Sequence, residues 1–318
     1  MSGAAADDPA RPAPLRRRVR ARAIRAAAGA FGRLPAGALE RAARPIARAA
    51  LARYFGDTVA ANVEAALPWL ERNAPEAAAR VREARFARAL GDFGALQLSH
   101  WLKLSRGAAP GERRGAWVDA LVDLDPSIEH LDAALAEGRG AIVVTGHIGD
   151  WELLCARLAR RGTTGAVVGR VRRGDPSHSW LVTMRRAYGV ETLPQDGAPR
   201  AMLRVLRGGG VLGLLTDLRA RRVDSTKLPL LGVEVETMTA AASFARASGA
   251  PVVPMRCVRA PSGRFVLHAE PPLPLRADVA REDAAVELLR AQNATFERWI
   301  AETPEQWAWH QERLAGAR

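Results

Sequence analysis

The chain has 318 residues, 48% hydrophobic and 25% charged, with a formal net charge of +13. That length can bury a full core, and two cysteines, Cys155 and Cys257, exclude a disulfide framework or a cysteine-based zinc site. No apolar run approaches the roughly 18 residues of a membrane span, "MSGAAADDPARPAPLRRRVR" lacks the apolar stretch of a secretory signal, and the positive charge calls for an anionic partner: nucleic acid, anionic lipid or an acidic carrier protein.

Residues 1–14 read as a disordered leader and residues 15–70 as a basic helical, membrane-proximal segment. Residues 1–60 hold 12 arginines against four acids. The helical pattern breaks near "GRLPAG" and resumes with Leu39, Ala43, Ile46, Ala50 and Tyr54 at helical spacing, arginines between them. A basic helix with an apolar stripe can lie on an anionic membrane surface, and it can equally pack on the protein by its alanine side. Residues 71–318 read as one domain. "NAPEAAARVREARFARALGDFGALQLSHWLKL" opens on a helix-start signal and predicts a long helix carrying His100 in a structural role. "SIEHLDAALAEG" stops at Gly138. Beyond it, apolar strand-like runs at 141–145, 166–169, 210–216, 251–258 and 265–270 alternate with helices near 150–161, 178–188, 198–207 and 238–249. Buried strands alternating with helices predict an α/β fold, a mainly parallel sheet flanked by helices.

Ligands of such sheets bind beyond the carboxyl ends of the strands. In "AIVVTGHIGDWELL", His147 follows the first apolar strand and Glu152 falls in the first turn of the next helix, which Asp150 could cap. Folded back, the two would form a general base and the carboxylate that orients it. Gly146 and Gly149 leave room for substrate near the backbone, and free N–H groups at the helix start favour developing negative charge. The spacing alone is common enough that a surface-turn pair fits it too. No G-x-S-x-G elbow is present. "RGGGVLG" precedes a strand and so reads as a tight turn, and a metal site from His147, Glu152 and Asp217 lacks motif support, so no metal is expected. A base without a protein nucleophile suggests direct attack by an acceptor hydroxyl on an activated donor. Because an imidazole acts as base only when neutral, activity should rise with pH through the neutral range.

"TGHIGDWELL" resembles the His-x4-Glu block of the lysophospholipid acyltransferase superfamily, and more narrowly the Gly-His-Phe-Gly-Asn-Trp-Glu of the bacterial lipid A late acyltransferases. Five further blocks fall in the family's order: "NVEAALPWLERNAPEAAARVREARF", "GRVRRGDPSHSWLVTMRRAYG", "GGGVLGLLTDL", "LPLLGVEVETMTAAASFARASGAPVVP" and "ETPEQWAWHQERL". The resemblance implies transfer of a fatty acyl group from acyl carrier protein or coenzyme A to a hydroxyl of a membrane (glyco)lipid. The place would be the cytoplasmic face of the bacterial inner membrane, with no bound cofactor and no nucleic-acid partner. By matching position, His147 is the general base, Glu152 its charge-relay partner, and Gly149, Arg170, Asp217 and Thr237 are substrate-binding candidates. Thr237 also reads as a helix cap and Asp217 as a structural carboxylate, while the Trp307–Arg313 tail packs against the fold. An apolar N-terminal membrane helix usual in the family is replaced by arginine- and alanine-rich sequence, so association should be peripheral, through anionic lipids. The Asp217-Leu218 and Leu230-Leu231-Gly232 departures leave the acceptor open. A lipid or thioester hydrolase and a non-enzymatic basic binding protein are the rival readings.

Overall fold

The computed structural model describes residues 28–107, 111–169, 176–195, 197–219, 223–276 and 280–315, together with Val19, Arg22 and Ala26. The leader expected over 1–14 and the candidate Arg170 lie outside the described residues.

After a turn at residues 32–35, helix α1 (Ala36–Asn73) runs through Pro45 and Pro68 and past position 70, where the sequence suggested a boundary. Its second half buries Val59, Ala66 and Leu70 against Phe86, Trp309 and Leu314. Buried Asn62 fastens the C-terminal tail to this helix. Its amide donates to the carbonyls of Trp309 and Gln311 (both 2.8 Å), and its carbonyl accepts from the Leu314 and Ala315 N–H groups. The stripe expected on the first half is not one packing face: Leu39 is buried, whereas Ile46 and Tyr54 are each 72% exposed.

The long helix expected after Asn73 is two, α2 (Pro75–Arg82) and α3 (Phe86–Leu104). Glu83 adopts an extended ψ of 137°, which breaks the helical ladder, and Val81 and Phe86 on either side are both buried.

Helix α4 (Ala116–Leu121) leads into strand β1 (Val122–Leu124), and α5 (Glu129–Ala136) follows. Then come β2 (Ala141–Thr145), α6 (Trp151–Arg160), β3 (Gly165–Gly169), α7 (Pro176–Ala187), β4 (Glu191–Pro194), α8 (Pro199–Arg207) and β5 (Val211–Leu215). A hairpin of β6 (Ser225–Leu230) and β7 (Val233–Met238) precedes α9 (Ala240–Ser248), β8 (Val252–Arg259), β9 (Phe265–Ala269) and α10 (Arg281–Glu302). Seven strands form one sheet in the order β1-β9-β8-β2-β5-β3-β4, parallel except where β9 runs against β8. The α/β class is as the sequence predicts. Strand β2 is buried at all five positions, as expected of an apolar run at the centre of a sheet covered on both faces. One layer packs α3, α6 and α7 side chains on the sheet, and the other packs α8, α9 and α10.

Strands β1 and β4 are short and the hairpin alternates apolar with polar residues, so none of them carries the continuous apolar run from which the other strands are predicted. The hairpin turns at Leu231 (φ 50°) and Gly232 (φ 76°), the left-handed pair a tight two-residue turn requires. The Leu231 N–H donates to the Glu297 carboxylate at 2.6 Å.

Candidate active site

Adjacent parallel strands β2 and β5 end together, so the residues following them meet. Past β2 comes Gly146-His147, and past β5 comes Thr216-Asp217, whose approach is prolonged by the Thr216 N–H donating to the Thr145 carbonyl (3.0 Å). Asp217 is 1% exposed and receives three donors. His147 Nδ1 lies 2.8 Å from Oδ1, while the His147 backbone N–H (2.7 Å) and Trp307 Nε1 (2.9 Å) donate to Oδ2. A Cβ on Gly146 would stand 3.0 Å from the Asp217 carboxylate, so glycine is what lets the carboxylate close over the turn. Burial pushes the Asp217 carboxyl up, but His147 and the donated hydrogen bonds outweigh it and hold it below the usual range. An ionised acceptor places the hydrogen on Nδ1 and leaves Nε2 unprotonated in the neutral ring, the tautomer a base needs.

The direct His147–Glu152 pair suggested by the spacing is not what forms. Glu152 is fully buried and receives Arg185 through Nε (3.1 Å to each oxygen) and Nη2 (2.6 Å), plus the Tyr188 hydroxyl. The first helical turn carries Glu152 toward α7, and Trp151 stands next to His147 instead, its ring edge-on at 4.7 Å and 61°. Burial and the Glu152 charge both raise the Tyr188 phenol well above its ordinary value, so it stays protonated and donates. Burial alone would lower Arg185, but Glu152 more than reverses this, keeping it cationic. Asp217, carried over as a substrate-binding candidate, is therefore the carboxylate that orients His147.

Asp150 caps α6 by accepting the Leu153 N–H (3.2 Å). It also binds His100 Nδ1 (2.9 Å) and Trp101 Nε1 (3.2 Å), which accounts for the buried histidine on α3. Gly149, a substrate-binding candidate by sequence, is tied into the protein through its backbone. At φ 62° it packs so closely on β8 that a Cβ would lie 2.0 Å from the Cys257 carbonyl oxygen. Its N–H donates to the Gln306 carbonyl, and its own carbonyl accepts Gln97. The N–H groups of His147, Gly149, Asp150 and Leu153 are all engaged within the protein, so these four are not open to an anion. Thr237 lies within β7, not at a helix cap. It is fully buried and accepts Asn293 Nδ2 at 3.1 Å, behind the site rather than in it.

His147, Trp151, Glu152 and Arg185 line a cavity of about 710 Å³ that Tyr54, Phe55, Thr192, Gln195, Arg219 and His310 also border. Arg185, Tyr188 and His310 were absent from the candidates read from sequence. "MRRAYG" sits in the block that supplied Arg170, and only the order of α7 and α6 in space brings it to Glu152. His310 meets Phe55 edge-on at 5.5 Å, and burial together with nearby His147 lowers its pKa.

Fold and site define an α/β protein that sets a carboxylate-held histidine at the mouth of a cavity beyond the strand ends. The chain belongs to the bacterial lipid A biosynthesis acyltransferase family, whose pattern it matches over residues 21–315. It is also similar to the phosphatidylinositol mannoside acyltransferase of Mycobacterium tuberculosis, in strains CDC 1551 / Oshkosh and ATCC 25618 / H37Rv alike. Identity is 28% over 134 residues, which is 41% of this chain and 42% of each relative. The match thus spans less than half of those relatives' length.

Proposed function

We propose that the protein is an O-acyltransferase that moves a fatty acyl chain from a thioester donor, acyl carrier protein or coenzyme A, to a hydroxyl of a membrane (glyco)lipid. The observation that carries this reading is His147 with Nδ1 tied to a buried ionised carboxylate and its ring in the wall of the cavity. Nε2 takes the proton of the acceptor hydroxyl as its oxygen attacks the thioester carbonyl. The tetrahedral oxyanion collapses, the carbon–sulfur bond breaks, and the imidazolium returns its proton to the departing thiolate. No covalent enzyme intermediate is needed. Asp217 steadies the imidazolium, and Arg185, fixed by Glu152, turns its cationic edge to the cavity for the oxyanion or an anionic headgroup.

Among the described residues no helix is long and apolar enough to cross a membrane. Phe31, Leu34, Ile46, Tyr54 and Phe55 are nonetheless exposed, with Arg33, Arg41 and Arg53 among them. Tyr54 and Phe55 also border the cavity. Exposed aromatic rings at the cavity rim and arginines exposed along the same helix support peripheral docking on anionic lipid, and the reading places it at the cytoplasmic face of the inner membrane. The test supplies purified protein with labelled acyl thioesters of both carriers and a total lipid extract, with mass spectrometry of the products. A lipid heavier by one acyl chain is expected. Its absence with either donor overturns the proposal.

A further inference from the structure

We propose that Arg313 is a positioning residue for acyl transfer, the fixed positive charge behind the His147–Asp217 pair that holds the histidine neutral and ready to take a proton. The inference rests on the acyl-transfer reading. Two arginines are buried among the described residues, Arg185 and Arg313. Glu152 pairs with the first. Arg313 is 2% exposed, yet the group it binds is neutral: Nη1 donates to the Glu236 carbonyl at 2.6 Å. Its Nε and Nη2 are buried without a partner among the described residues. Burying an unpaired guanidinium is unfavourable, so something else must favour a cation at this place.

The C-terminal tail carries it there. Trp307 Nε1 donates to Asp217, and the Ala308 N–H donates to the His147 carbonyl (3.0 Å). Further along, Glu312 comes within 4.0 Å of Arg219, two positions past Asp217. Tail and post-β5 loop thus meet at both ends, and Arg313 turns into the core directly after the second meeting, anchored on β7. Asn62 of α1 fixes the next residue by accepting the Leu314 N–H. Burial pulls the Arg313 pKa down to about 10, while Asp217 and Glu236 pull it up, so the group is cationic at neutral pH and feels the Asp217 charge.

The other charges around the pair are committed or change with the proton. Arg185 is paired with Glu152 across the cavity, Arg219 faces Glu312 at its rim, and Glu305 is paired with Arg80. The Glu236 carboxylate accepts the Ser225 hydroxyl. Burial, with His147 nearby, favours the neutral form of His310. His147 is itself cationic only after it has taken the proton. Before that, with Asp217 ionised and His147 neutral, Arg313 is the charge left to balance the buried carboxylate. A cation there disfavours protonation of either partner, so the pair titrates lower with it than without it.

The experiment titrates the histidines of isotope-labelled protein by NMR, with the His147 signal assigned by its loss in His147→Gln. It compares wild type, Arg313→Gln and Arg313→Lys, and follows kcat/KM for acyl transfer in the same proteins from about pH 5.5 to 9. Glutamine can still donate to the Glu236 carbonyl but carries no charge. Arg313→Gln is expected to raise the His147 midpoint, and with it the ascending limb of kcat/KM, by at least about half a pH unit. Below the midpoint that is a loss of about threefold, recovered at high pH. Arg313→Lys should keep the wild-type midpoint. Arg313→Met decides the matter if Arg313→Gln does not fold. An unmoved midpoint, or a kcat/KM lowered by the same factor at every pH, overturns the proposal and leaves Arg313 as packing for the tail. A raised His147 midpoint in Arg313→Gln, with no lipid acylated by wild type at any pH, would uphold the charge and overturn the transferase reading instead.

Discussion

Replacing Asp217 with asparagine leaves shape almost unchanged and removes the charge. Three donors converge on this carboxylate: His147 Nδ1, the His147 N–H and Trp307 Nε1. An amide offers only one acceptor oxygen. Turned to keep the two bonds on the Oδ2 side, it presents its NH2 to Nδ1. The ring must then accept at Nδ1 and carry its hydrogen on Nε2, where it can no longer act as a base. A wrong tautomer of this kind costs about 10³–10⁴-fold in kcat. KM should change little, because the carboxylate is buried behind the histidine and does not reach the cavity. Exchanging charged for neutral hydrogen bonds should lower stability by about 1–3 kcal/mol. The assay pairs steady-state transfer kinetics with thermal unfolding. A folded Asp217→Asn protein that keeps more than about a tenth of wild-type kcat would refute the assignment of Asp217 as the orienting carboxylate.

Glu152→Gln should behave differently. It strips the partner from a buried arginine, a loss of about 3–5 kcal/mol, so unfolding shifts strongly and KM rises with Arg185 released; a kcat loss as deep as that of Asp217→Asn, without destabilisation, would instead return Glu152 to the role of relay. Gly149→Ala forces a left-handed residue and a Cβ against the Cys257 carbonyl, and denaturant unfolding should report at least about 3 kcal/mol lost. The lowered His310 pKa means that the folded state binds this proton less readily than the unfolded chain. Its contribution to stability is therefore complete above about pH 6.5 and declines as pH falls toward the lower folded value. His310→Gln should flatten that part of the melting-temperature profile between about pH 7.5 and pH 5.

Much of the frame was legible because it is written locally. The apolar run Ala141–Thr145 becomes the central strand, Asp150 caps the following helix, and His147 falls in the turn between them. The pairing of side chains within the site was not legible. His147 meets a carboxylate 70 positions away because β2 and β5 are neighbours, and Glu152 meets Arg185 33 positions away because α7 lies over α6. A spacing of five residues names two candidates without saying which way the first helical turn points them. The surroundings of Thr237 and Gly149 were hidden for a related reason, since each is set by chain distant in sequence, Asn293 in one case and the β8 backbone in the other. The β6–β7 hairpin does alternate, with Leu228 and Leu230 inward on one strand and Val235 and Thr237 on the other, but Lys227, Pro229 and Glu234 at the outward positions leave it no continuous apolar run like those of the central sheet.

In the proposed reaction the acyl group passes directly from thioester to a lipid hydroxyl with His147 as the base. Following thioester consumption and acyl-lipid formation in one reaction, for wild type and His147→Ala, tests it most directly. Wild type should form acylated lipid in step with thioester lost, and His147→Ala should slow both by at least about 10²-fold. Free fatty acid as the wild-type product, or acyl lipid formed by His147→Ala at an undiminished rate, would contradict it.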